Sequence, residues 1–199
     1  MLRSWVQVPP PALMIMDLIK LSKDIMRQQT EKNKAPAWLL TKLAVRKGKE
    51  LAKKHGVDEK LVVSSLYLAH TVFSPVWKGE IQKKHGKLSA EFVRPFLEKW
   101  GVSEEDKSII LNAIEAHGGE MPVETKVAEI VKNAECFKFV TVHGSLIWLH
   151  ECGIRGYPFD EAVDKVLEKM EQKRSLLTLP DCIKEAERNS KEIISLFTF

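Results

Sequence analysis

Residues 61–73, LVVSSLYLAHTVF, decide the fold. Their apolar side chains run nearly all round a helix of 3.6 residues per turn, the pattern of a segment buried on every side. Only a core assembled from several further helices can cover such a segment. Outward from it the periodicity is helical almost everywhere, and neither strand-like alternation nor Asn-Gly or Asp-Gly hairpin turns occur. The sequence therefore predicts an all-α protein, a compact multi-helix bundle.

Stop and start signals divide the bundle. A helix is expected over about 16–29, and a Lys-rich break with Pro36 separates it from a second over about 37–55, which Gly56 stops. Asp58 caps the central helix through its side-chain oxygen, and Ser74 with Pro75 ends it. A helix over about 89–100, kinked at Pro95, closes at Gly101. Ser103 with Asp106 resembles a capping box and opens a helix that reaches His117, before Gly118 and Gly119. Pro122 suits the first turn of a long helix running from Val123 to about His150. Gly153 and Gly156 mark the turn into a helix over 159–177, and Pro180 starts the last one, ending near Phe197. With no internal repeat, residues 16–199 read as a single domain. Residues 1–15, MLRSWVQVPPPALMI, read as a disordered leader or a mis-annotated start, because Pro9, Pro10 and Pro11 interrupt what would be the apolar run of a signal peptide.

Composition narrows the partners. A chain of 199 residues can bury about 70% of its unfolded surface and needs no disulfide or zinc staples. Its 31 basic and 27 acidic residues are interleaved, so nucleic acid is not a favoured partner. Three separated cysteines, Cys136, Cys152 and Cys182, form no CxxC pair and fit a reducing, cytoplasmic setting. No stretch approaches the roughly 18 consecutive apolar residues of a membrane span.

Three positions put a metal-ligand type of side chain on an apolar helical stripe. His70 follows Val63, Leu66 and Tyr67 at the end of the central helix. His117 continues Ile110, Ala113 and Ile114. Glu135 lies on the line Ala128, Val131, Phe139, where a buried carboxylate is costly unless paired, hydrogen-bonded or bound to a cation. Each also has a plain structural reading: a hydrogen-bonded core histidine, or a carboxylate reaching solvent along its helix. His85, in QKKHGKLS, is either a fourth member or a solvated loop residue. His55 reads as a helix-end histidine, and His143 and His150 share a helix face without an assigned role. Cys136 and Cys182 sit within helical patterns and read as structural. HExxH, GxSxG and Gly-rich phosphate loops are absent from the sequence.

The order of these residues resembles the HD-domain superfamily of metal-dependent phosphohydrolases. TKLAV at 41–45, Leu51-Ala52 and HGVD at 55–58 stand where that family has its first histidine motif and the helix end after it. SSLYLAHTVF ends in His70-Thr71 at the place of the His-Asp pair that names the family. HGKLSAEFVRPFLEKWG brings His85, AIEAH brings His117, and NAECF puts Glu135 at the place of the last aspartate. The resemblance implies an all-helical HD-like domain over about residues 37–197, a divalent metal (Mn, Fe, Zn or Mg) and a nucleotide-type phosphate ester as substrate. Two ligand positions are degenerate: Thr41 stands for the first histidine and Thr71 for the paired aspartate, and a neutral hydroxyl is a poor ligand for such ions. The reduced set is His70, His85, His117 and Glu135, with Lys78, Lys83 and Lys84 as candidate phosphate-binding charges. Two function classes follow. One is a metal-dependent phosphohydrolase acting on a small phosphate-bearing molecule, the other a catalytically inactive HD-fold module that binds a nucleotide, an RNA or a protein partner. A plain scaffold bundle is the third possibility.

Overall fold

The computed structural model describes residues 17–198 except Pro75 and Trp77, so the leader reading for residues 1–15 lies outside the described residues. Helices follow one another along the chain: α1 (Leu18–Asn33), α2 (Trp38–His55), α3 (Glu59–Leu68), the single turn α4 (Glu80–Lys83), α5 (His85–Lys99), α6 (Glu104–Ala116), α7 (Lys126–Phe137), α8 (Val142–Ile154), α9 (Phe159–Arg174) and α10 (Pro180–Phe197). The described residues form no strand, and no helix among them is long and apolar enough to cross a membrane.

The all-round apolar pattern becomes the central helix α3, in which every residue from Leu61 to Leu68 is buried, but the helix stops at Leu68, short of the end expected at Ser74 and Pro75. Asp58 starts it by accepting the backbone N–H of Lys60 at 2.7 Å, satisfying one of the orphan donors of a helix N-terminus. Around α3 pack α1, α2, α5, α6 and α7. Gly48 lets α2 come close, because a Cβ there would lie 2.3 Å from the Leu66 Cδ1. The Ser103 cap is present as expected, its hydroxyl accepting from the Asp106 N–H at 3.1 Å.

The helix expected over 123–150 is two helices. Thr125 caps α7 by accepting from the Ala128 N–H, so Pro122 lies ahead of the helix. At the other end Thr141 accepts the Gly144 N–H at 3.0 Å and donates its own hydroxyl proton to the Lys138 carbonyl at 3.1 Å, turning the chain into α8. Local hydroxyl bonds of this kind compete with continued helix. Gly144 completes the corner, since a Cβ there would sit 1.6 Å from the Lys138 carbonyl oxygen. α5 also starts earlier than expected, at His85, and continues through Pro95.

These boundaries bring four helix ends to one place. His70 lies two residues past the end of α3, His85 opens α5, His117 is the C-cap of α6, and Glu135 lies in the last turn of α7. Three of the four are C-terminal ends, whose exposed carbonyls carry partial negative charge and favour a cation.

Candidate metal centre and cavity

A ring nitrogen from each of His70, His85 and His117 lies within 4.8 Å of the other two. His70 and His85 stack with their ring planes 7° apart and centroids 5.0 Å apart, and His117 stands edge-on to both. Two backbone contacts fix the tautomers. His85 Nδ1–H donates to the Gln82 carbonyl at 2.6 Å, and His117 Nδ1–H donates to the Ile114 carbonyl at 2.5 Å. A carbonyl only accepts, so each ring carries its proton on Nδ1 and presents a bare Nε2. Those two Nε2 atoms face each other at 2.8 Å. Lone pairs at that separation repel unless a positive species sits between them.

A proton is a poor candidate for that species. Burial pushes the His85 imidazole down to about 3, with the neighbouring His70 adding to the effect. Burial and the other two histidines hold His117 well below its usual range, and burial lowers His70 despite the carboxylate beside it. Neutral imidazoles with aligned lone pairs are the form in which histidine binds a metal.

His70 is oriented by Glu135, its Nε2–H donating to Oε2 at 2.8 Å. Its Nδ1 is buried and has no protein partner. A carboxylate hydrogen-bonded to one ring nitrogen of an imidazole is a usual support for a metal-binding histidine. Glu135 is only 3% exposed. Burial alone would raise its carboxyl, but the Lys138 ammonium and His70 outweigh that and hold it well below the usual carboxylate range. Lys138 donates to the same Oε2. The carboxylate therefore borders the three-nitrogen cluster through His70 and is not part of it.

Thr41 and Thr71, the positions that the resemblance reads as degenerate, are both buried. Thr71 is buried and gives its hydroxyl proton to the Leu68 carbonyl at 3.0 Å, while Thr41 is buried with an unpartnered hydroxyl. Neither lines the cavity that opens beside the histidines.

That cavity encloses about 290 Å³. Of the lysines expected to bind phosphate, Lys83 reaches its lining but is ion-paired with Glu80 at 3.0 Å, and the exposed Lys78 and Lys84 do not reach it. The positive wall comes from elsewhere: Lys138 at the α7–α8 corner, Arg155 just after α8, and Lys169 and Lys173 on α9. Burial, with Lys173 and Lys138 nearby, lowers the Lys169 ammonium to about 8. Phe139 and Trp148 supply the apolar part, with Arg155 4.8 Å above the Trp148 ring and Lys169 5.5 Å from the Phe139 ring. The sequence did hold a signal for this wall. Lys169 and Lys173 are four apart, so two like charges share a helix face, which is unfavourable without an anion. His55, His143 and His150 lie outside the cavity, and all three cysteines are buried free thiols.

No family model matches the sequence, and no curated protein does. Among solved structures the chain is similar to Bacillus subtilis YpgQ, determined in complex with ADP. The two superpose with a TM-score of 0.67 at 15% identity, over 92% of this chain and 94% of that one. This chain shares its fold with YpgQ. The agreement supports the all-α, multi-helix bundle expected from the helical periodicity, while the chemistry of the site rests on its own residues.

Proposed function

We propose that the chain is a relative of the HD-type phosphohydrolases that holds a divalent metal at His70, His85 and His117, with Glu135 behind His70, and acts on small nucleotide-type phosphate esters. The observation that carries this reading is the facing pair of bare Nε2 atoms, 2.8 Å apart on His85 and His117. Ligand atoms at about 2.1 Å from a common ion would lie roughly 3–3.5 Å apart, so little movement is needed to seat one. Imidazole donors fit Zn or Fe better than Mg, which prefers oxygen.

When bound, such an ion polarises a phosphoryl oxygen and makes a water acidic enough to ionise near neutrality. The chain's own residues do the rest. Lys169 and Lys173 present charge to the phosphate, and Phe139 and Trp148 exclude water beside it. Glu135 fixes His70 in one tautomer and keeps the Nε2 proton in place. ADP, the ligand named for YpgQ, has the size and charge that this combination of basic and aromatic wall can take.

The test pairs metal content with turnover. Purified protein loaded with Zn²⁺, Co²⁺ or Mn²⁺ is expected to retain about one ion per chain, to hydrolyse nucleoside phosphates, and to lose both properties in His117→Ala. Protein that retains no ion after loading would refute the reading. A second reading, a non-catalytic phosphate-binding module, is favoured by Thr71, whose hydroxyl is committed to the Leu68 carbonyl where the resemblance expects an acidic ligand. It predicts ADP binding that a chelator leaves unchanged, with no turnover under any metal.

A further inference from the structure

We propose that Lys138 is a positioning residue that keeps the Glu135 carboxylate off the metal, so that three neutral imidazoles hold the ion with a coordination position left open and with a preference for borderline ions over oxygen-seeking ones. The inference rests on the proposed metal reading and specifies its ligand set.

Lys138 is placed with unusual rigour for a lysine. Its side chain is 2% exposed and that of Glu135 is 4% exposed. Its backbone carbonyl receives the Thr141 hydroxyl, and its N–H is bonded to the Ala134 carbonyl. At Gly144 the chain passes so close to the Lys138 carbonyl that a Cβ would overlap its oxygen. The ammonium meets Glu135 Oε2 on one side and lies 5.3 Å from the Phe139 ring centroid on another. A buried carboxylate demands a counter-charge. In a site without this lysine, the cation held by the histidines would be the nearest candidate. Here the ammonium already fills that role, and its +1 cancels the carboxylate's −1.

The geometry agrees with that division. Both donors, His70 Nε2–H and Lys138, converge on Oε2, and the carboxylate is outside the cluster of three ring nitrogens. Oε1 is buried and uncommitted. The carboxylate thus has an oxygen with which to bind a cation once its charge is no longer cancelled by the Lys138 ammonium on Oε2. Carboxylates draw manganese and magnesium, while imidazoles suit zinc and cobalt. A single lysine therefore sets both the number of ligands and the type of ion.

The test compares wild type with Lys138→Met and with the double variant Glu135→Gln, Lys138→Met, which keeps shape while removing both charges. Each is checked for folding by circular dichroism, then titrated with Co²⁺, Mn²⁺ and Mg²⁺. In wild type, Co²⁺ should give the intense visible bands of a low coordination number, and Mg²⁺ should not compete with it. In Lys138→Met the bands should weaken as Glu135 enters the coordination sphere, and Mn²⁺ should bind roughly tenfold tighter, the scale on which neighbouring groups tune metal sites. The double variant should return to the wild-type spectrum and Mn²⁺ affinity. Unchanged bands and unchanged Mn²⁺ affinity in Lys138→Met would overturn the role of Lys138 while leaving the metal reading intact. A wild type that binds none of the ions overturns the metal reading and this inference with it.

Discussion

Acidification should destabilise this fold through the same histidines that build the site. In the folded state His85 titrates at about 3 and His117 well below its usual range, both through burial. In the unfolded chain each takes up a proton near pH 6.5. The unfolded state therefore binds more protons below pH 6.5, and stability must fall with pH from there until the folded-state values are reached. At pH 5.0 His85 alone costs about 2 kcal/mol, one and a half pH units below 6.5 at about 1.4 kcal/mol per unit. That loss is set against a total of roughly 5–15 kcal/mol, and His117, lowered in the same direction by burial and its neighbouring histidines, adds to it. His70 is shifted in the same direction and adds to the loss. Glu135 does not offset it, because a carboxyl with a depressed pKa gives up its stabilisation only at lower pH. For a chain of this length each kcal/mol corresponds to roughly 2–4 °C, so thermal melts of metal-free protein should drop by at least about 4–8 °C between pH 7.0 and pH 5.0. In His85→Gln with His117→Gln the drop should shrink to a few degrees. A wild-type melting temperature that does not move, or a drop that survives intact in the double variant, would refute the argument that these imidazoles are held neutral by burial.

Three other outcomes test neighbouring parts of the structure. Anion binding at the cavity should weaken as pH rises through about 8, because Lys169 loses its charge there, and titration calorimetry with ADP at pH 7 and pH 9 should show wild type weakening while Lys169→Met is weak at both. Gly144→Ala should destabilise by about 3 kcal/mol or more in urea unfolding, since its methyl group would collide with the Lys138 carbonyl at 1.6 Å. Asn133→Ala should cost about 3 kcal/mol by the same measurement. Its amide donates to the Glu129 carbonyl and the Thr178 hydroxyl and accepts the N–H groups of Thr178 and Leu179, tying α7 to the start of α10.

The fold was legible wherever one interaction within a few residues settled the matter. The all-round apolar pattern of residues 61–73 pointed to a central helix, although α3 ends at Leu68, and the caps at Asp58 and Ser103 act within three residues of themselves. The α7–α8 corner was not legible for the opposite reason. Helical periodicity continues through residues 123–150, and what breaks it is the Thr141 hydroxyl on the Lys138 carbonyl together with a glycine whose importance depends on that carbonyl's position. The histidines could be found from their order and their stripes. The positive wall left only the like-charge pair Lys169 and Lys173 as its signal and could not be placed at the site, because those residues lie more than fifty positions beyond His117 and reach the cavity only when α9 packs on α8 and α7. The lysines close to His85 in sequence were the natural expectation, yet Lys78 and Lys84 lie on exposed backbone outside the cavity.

The charge of the assembled site bears on which ligand comes first. Three imidazoles contribute nothing, and Glu135 and Lys138 cancel, so the wall formed by Arg155, Lys169 and Lys173 is balanced only by Glu151 and Glu120 at the cavity edge. Arg155 lies 3.9 Å from Glu151 and rests on Trp148, which leaves the two α9 lysines with only Glu120 to set against them, a net charge of about +1. A divalent ion entering alone would meet that positive field in a pocket of low dielectric, where like charges repel strongly. An anionic phosphate entering alone would be drawn to the lysines, and its remaining oxygens would then offer the metal the negative charge that Thr41 and Thr71 do not provide. Each ligand thus improves the site for the other, and by linkage the two enhancements must be equal. Metal and phosphate ester should therefore bind to this chain with positive cooperativity, and a metal affinity measured without phosphate would understate the affinity of the working site.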